Sequence, residues 1–127
     1  MIRNSAVLLA GALATLAPAL RAQTTDSLPP GVTPEVVTRG KSLYNGAGLC
    51  MACHGPIAKG MTGPDLTDST LLHYDGSYEG LIKVVTTGID DKASKTGQIM
   101  PAKGGSAMSD DEVKAVAAYV WTLRKRI

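Results

Sequence analysis

Both cysteines of this chain fall inside one pentapeptide, Cys50-Met51-Ala52-Cys53-His54. The spacing sets two thiols one helical turn apart with an imidazole directly behind them, so the fold must accommodate three reactive side chains at one place. Four uses compete. A thioredoxin-type redox pair belongs in a strand–helix–strand unit, and no segment here alternates as a strand does. A structural disulfide leaves His54 without a job. A tetrahedral zinc site takes four ligands; the only other histidine is His73, and Cys53 and His54 are chain neighbours. The remaining use of C-x-x-C-H is the covalent haem attachment signal. Its thiols add across the haem vinyl groups, and its histidine is held under the iron as proximal ligand. On this reading Cys50 and Cys53 attach one haem c and His54 is an axial ligand.

Composition points the same way. The chain has no Phe, one Trp (Trp121) and four Tyr, so aromatics are only 4% of its 127 residues. Aromatic side chains bury the most area per residue, and a chain this poor in them needs apolar mass from elsewhere. A bound cofactor supplies it. At 44% hydrophobic and 19% charged, the chain is not collagen-like, disordered or coiled-coil. Two cysteines are too few for a disulfide-dense scaffold. The length suits one domain.

Residues 1–22 have the layout of a secretory signal peptide: Arg3 near the start, an apolar run over residues 6–17, then small residues with Ala17-Pro18-Ala19. Cleavage is expected after Ala19 or Ala22. The apolar run is shorter than the ~20 residues of a spanning helix, so no membrane span is expected after cleavage; uncleaved, the segment would tether the protein. Removing 22 residues takes away Arg3 and Arg21, leaving 11 basic against 11 acidic residues. A formally neutral chain gives no argument for nucleic acid or an anionic membrane as partner. Residues 23–32, polar and rich in Pro and Gly, read as a linker, and 33–127 as the folded domain.

Three stretches predict helices, and the domain is expected to be all-α. Thr33 can cap a first helix with Pro34 at its first position and Glu35 in its first turn; Val36, Val37, Gly40, Leu43 and Tyr44 follow at helical spacing. Ser77 can cap a second helix carrying Leu81, Ile82, Val84 and Val85, stopped by Gly88. Ser109-Asp110-Asp111-Glu112 has the form of a capping box, followed by Val113, Val116, Ala117, Val120 and Leu123 on one face. Arg124-Lys125-Arg126 suit the negative end of that helix. A shorter helical turn is expected around residues 69–73.

Taken together, Tyr44, Cys50-Met51-Ala52-Cys53-His54-Gly55, Gly63-Pro64-Asp65-Leu66 and Met100-Pro101 ahead of a terminal helix resemble the class I, single-haem cytochromes c of bacteria. The resemblance covers residues 33–123. It implies a small cytochrome c fold of three main helices plus short turns around one haem. It also implies first and last helices crossing beside that haem where a small residue, here Gly40, allows close approach, with Tyr44 packing against the last helix. Pro64 would accept the proximal histidine's N–H through its carbonyl, and Leu66 would pack on the ring.

The distal iron ligand must be chosen among methionines. Met1 leaves with the signal peptide, Met51 lies between the attachment cysteines, and Met61 follows His54 by only seven residues. Met100, 46 residues after His54 and stiffened by Pro101, matches the family's distal methionine. Met108 is the runner-up and His73 a further alternative, although a solvated loop histidine is its plainer reading. Tyr74, Tyr78 and Lys103 are candidate partners for haem propionates.

With His54 and Met100 on the iron, what remains is outer-sphere electron transfer, and no paired carboxylates or Ser/His/Asp set points to catalysis on a substrate. The expectation is a monomeric, periplasmic electron carrier, not an enzyme, cycling one haem iron between Fe(III) and Fe(II) with redox proteins as partners. A haem subunit bound to a dehydrogenase or oxidase is the alternative, ahead of a haem enzyme or gas sensor with a labile Met100.

Overall fold

The computed structural model of the protein describes residues 28–124, so the candidate signal segment 1–22, residues 23–27, and Lys125 and Arg126 lie outside the described residues. Helix α1 runs Pro34–Tyr44. The Thr33 hydroxyl accepts the Val36 N–H at 3.4 Å, a cap whose loss costs about 1 kcal/mol. Helix α2 is the single turn Met51–His54. Helix α3 spans Tyr78–Thr87, with Ser77 accepting the Gly80 N–H at 2.9 Å and Gly88 at its end. Helix α4 spans Asp110–Leu123 and carries the full capping box: Ser109 Oγ accepts the Glu112 N–H, and the Glu112 carboxylate accepts the Ser109 N–H. A short 3-10 turn, Ala102–Gly105, precedes it. Among the described residues the only β feature is an isolated antiparallel pair, Ile89 with Met100.

The core is organised around α4, whose residues Val113 and Ala115 to Val120 are all buried. Helix α1 lies against it at Gly40. A Cβ there would collide with the Ala115 carbonyl oxygen and stand 3.0 Å from Tyr119 Cβ, so only glycine permits this approach. One turn on, Tyr44 is fully buried. Its ring meets Tyr119 edge-on at 5.3 Å and 68°, an arrangement worth ~0.5–1.5 kcal/mol beyond area burial. Its hydroxyl donates to the Gly55 carbonyl at 2.8 Å. Tyr44 therefore ties α1 both to α4 and to the residue following His54. Leu81 and Val85 of α3 close the core from the other side.

Two local expectations are corrected. Residues 69–73 form bends, not a helical turn. The Asp68 carboxylate accepts the Thr70 N–H at 2.9 Å, and such a side-chain acceptor competes with helical pairing. Arg124 does not serve the end of α4. It is extended, and its guanidinium lies 5.0 Å from the Trp121 ring and 5.7 Å from the Tyr74 ring. It donates to Tyr74 Oη at 2.9 Å and to the Gly76 carbonyl at 3.2 Å. Two rings and two acceptors in one place outweigh the few tenths of a kcal/mol that an exposed helix end offers.

Candidate functional site

The chain enters the pentapeptide through Leu49, whose φ of 58° lies in the left-handed region and turns the backbone sharply into α2. Cys50 is buried, donating weakly to the Gly48 carbonyl at 3.4 Å. Burial, with Cys53 adding, pushes its thiol up to about 11. Cys53, one turn on, is exposed, so the two thiols present one inner and one outer attachment point. His54 is buried. Its Nδ1 lies 2.9 Å from the Pro64 carbonyl; a ring that donates there keeps its Nε2 lone pair for a metal.

The Gly63-Pro64 segment is clamped to the motif, because Gly63 N–H donates to the Cys53 carbonyl at 2.9 Å and Leu66 N–H to the Ala58 carbonyl at 2.8 Å. A Cβ at Gly63 would sit 2.9–3.3 Å from three atoms of the His54 ring, so glycine gives the imidazole its seat. Beyond it, the Asp65 carboxylate accepts both the Thr67 N–H and hydroxyl at 2.7 Å. These bonds, with Lys59 nearby, hold the Asp65 carboxyl below its usual range.

Cys50, Cys53, His54, Pro64 and Met100 line one cavity with about 990 Å³ of space not filled by protein. Its apolar walls come from Leu81, Val84 and Val85 of α3 and Val116 and Val120 of α4. Met100 is delivered by the isolated pair: its N–H donates to the Ile89 carbonyl at 2.9 Å and its carbonyl accepts the Ile89 N–H at 2.7 Å. Two thiols, an imidazole and a thioether thus converge on one apolar slot, a donor set that fits a haem bound through its edge and its iron. The competing methionines do not reach it. Met61 is 70% exposed and Met108 4% exposed; Met108 Sδ packs where a Gly48 side chain would be.

Other expectations shift. Leu66 is half-buried and packs against the core, and its N–H donates to the Ala58 carbonyl. Tyr74 and Tyr78 are engaged elsewhere, with Arg124 and the Lys114 carbonyl. Lys103 donates to the Met108 carbonyl and Asp110. None of the three is oriented by the cavity. His73 is no solvated loop residue: it lines the cavity, and its Nε2 accepts the Lys95 N–H at 3.0 Å. Sequence reasoning missed Ile89 altogether. The signal was slight, a β-branched residue just past the helix-stopping Gly88.

The family described as cytochrome c oxidase, cbb3-type, subunit III, matches residues 35–120. The chain is a class I bacterial c-type cytochrome of that family. As such it carries covalently bound haem c, and the cavity with its thiol pair is where the group fits. Among curated proteins the cytochrome is similar to the cbb3-type cytochrome c oxidase subunit CcoP of Rubrivivax gelatinosus, 33% identical over 91 residues. That stretch is 71% of this chain and 27% of the relative, so the cytochrome spans about a quarter of that protein's length. Among solved structures it resembles cytochrome CL from the marine methylotroph Methylophaga aminisulfidivorans, with a TM-score of 0.58 and 26% identity over 73% of this chain and 56% of that one. No helix among the described residues is long and apolar enough to cross a membrane.

Proposed function

We propose that the cytochrome is a one-electron carrier in which Cys50 and Cys53 form the thioether links and His54 and Met100 are the axial iron ligands. The observation that carries this reading is the convergence of all four side chains on one cavity from which Met61 and Met108 are absent. When bound, haem c supplies a one-electron Fe(III)/Fe(II) couple. The chain's own part is to hold, orient and exclude. The Pro64 carbonyl fixes the His54 tautomer and strengthens the imidazole as a ligand. The Ile89 pairing sets Met100 at the opposite end of the chain's path around the cavity. His54 and Met100 would hold the iron, and a histidine–methionine pair would raise its reduction potential while leaving no place for oxygen or substrate. Leu81, Val85, Val116 and Val120 keep water from the slot. Little then moves on oxidation or reduction, which suits electron transfer.

The carrier is read as exported by residues 1–22 and working in the periplasm between redox protein partners. A second reading, a haem subunit held in an oxidase, draws support from the match to a family of oxidase subunits. Purification of the native protein separates the two: a carrier elutes alone, a subunit with a larger enzyme. The ligand assignment is tested by two variants of the haem-loaded protein. Met100→Ala should abolish the far-red Fe(III)–thioether band, lower the potential and admit cyanide or imidazole quickly. Met108→Ala removes a buried core side chain and should destabilise by ~2–5 kcal/mol while keeping the band. A band lost in Met108→Ala and kept in Met100→Ala would overturn the assignment.

A further inference from the structure

Residues 90–99 leave the core after Ile89 and return at Met100. Within this excursion the hydrogen bonds are local: Asp90 accepts the Ala93 and Ser94 N–H groups, and the Ser94 hydroxyl donates to the Gln98 carbonyl. They shape the loop and fasten it to nothing. Its base is fastened by the Ile89–Met100 pair. Among the hydrogen bonds and ion pairs of the described residues, only one other leaves the excursion, from Lys95 N–H to His73 Nε2 at 3.0 Å. That bond crosses a groove with about 1040 Å³ of open space, lined by His73 and Tyr74, by Lys83 and Thr87 of α3, and by Ala93 and Lys95. Residues 91–93 and 95–99 are exposed, so the loop has little packing to replace the bond.

The histidine is itself well seated. Its neighbour Tyr74 accepts from Arg124, which also holds the Gly76 carbonyl and lies over the Trp121 ring. The segment bearing His73 is therefore moored to the end of α4. On the other side, Thr96, Gln98 and Ile99 of the loop are wall residues of the haem cavity.

We propose that His73 is a positioning residue for the distal side: by accepting the Lys95 N–H it holds the 90–99 loop closed as a cavity wall and keeps Met100 in place against competing ligands. The proposal rests on Met100 being the distal ligand. An accepting Nε2 belongs to a neutral ring with its proton on Nδ1, and burial, with Lys95 adding, lowers the His73 pKa and favours that form.

The test uses the haem-loaded protein and the variants His73→Leu, His73→Gln and Lys95→Pro, the last deleting the donor. Two rates are measured: hydrogen exchange of the 90–99 amides, and binding of imidazole to the oxidised protein. In His73→Leu both should rise about five-fold or more, the scale of one lost neutral hydrogen bond, with the far-red band still present at equilibrium. His73→Gln, whose carbonyl can accept the same N–H, should recover most of the wild-type rates. Lys95→Pro should bind imidazole about five-fold or more faster than the wild type, which covers the case where the leucine variant fails to load haem, and a wild-type rate in Lys95→Pro would overturn the proposal. Unchanged rates in His73→Leu would overturn the proposal, and so would faster rates that His73→Gln does not restore. A wild-type protein without the far-red band would refute the Met100 reading instead, leaving the amide exchange to judge the tether alone.

Discussion

Gly40→Ala adds one methyl group at a buried position of α1, and helix propensity alone says it should stabilise by ~1 kcal/mol. The packing says the opposite. The new Cβ would overlap the Ala115 carbonyl oxygen and stand 2.5 Å from the carbonyl carbon. A comfortable approach is about 3.5–4.0 Å, so α1 must retreat from α4 by roughly 1.5–2 Å. The obstacle is backbone inside a helix and cannot swing aside. Overpacking of this kind costs ~1–3 kcal/mol, and the rigid obstacle puts it at the upper end. The retreat also loosens the Tyr44–Tyr119 contact, worth ~0.5–1.5 kcal/mol. Against the propensity gain, the net loss is about 2–3 kcal/mol. At roughly 4–8 °C per kcal/mol for a domain of this size, Tm should fall by ~10–20 °C. Melting of the oxidised, haem-loaded protein followed by far-UV circular dichroism gives the answer. An unchanged or higher Tm would mean that α1 does not rest on α4 through backbone contact at Gly40.

Further outcomes are expected. Replacing Cys50 and Cys53 together by Ala should leave a chain without a cooperative thermal melt by circular dichroism, because the apolar slot walled by Leu81, Val85, Val116 and Val120 then lacks the group that fills it. Gly88→Ala should weaken the far-red band while the helical signal persists. At φ +72° a Cβ would press on the Met100 carbonyl and stand 2.6 Å from Ala102 N, dislodging the pair that delivers Met100; the left-handed backbone adds ~1–2 kcal/mol of its own. Asp65 and Glu112 are held below the usual carboxylate range, by hydrogen bonds from Thr67 and Ser109 respectively. Depressed values mean their contribution is full above the ordinary range of about 3.9–4.3 and is lost as pH falls through the lower folded values. Melting as a function of pH should therefore decline on the acid side, and Asp65→Asn with Glu112→Gln should flatten that decline.

Helix ends were legible because capping is local: Thr33, Ser77 and Ser109 each accept from an amide three residues on. Gly40 was legible because a glycine that interrupts no apolar periodicity must serve contact. The pentapeptide was legible because its chemistry sits in five consecutive residues. What escaped has the opposite character. Ile89 with Met100 and His73 with Lys95 are isolated pairings between loops, and an isolated pair generates no repeat to read. Arg124 was misread since its rings and acceptors, Tyr74 and Gly76, are some fifty positions away in the chain.

The Ile89–Met100 pair closes residues 90–99 into a ring whose two ends are joined by two backbone hydrogen bonds. Doubling the length of a flexible loop costs only about 0.6 kcal/mol, so the number of residues in this ring is nearly free to vary, while the sulfur's address is not. Gly97 offers the place: its φ is +75° and nothing stands within 4 Å of where its Cβ would be, and it lies beyond Lys95, on the far side of the His73 bond. A peptide or a small folded insert spliced there would hang from the rim of the cytochrome, with the Ile89–Met100 pair and the Lys95–His73 bond both still in place.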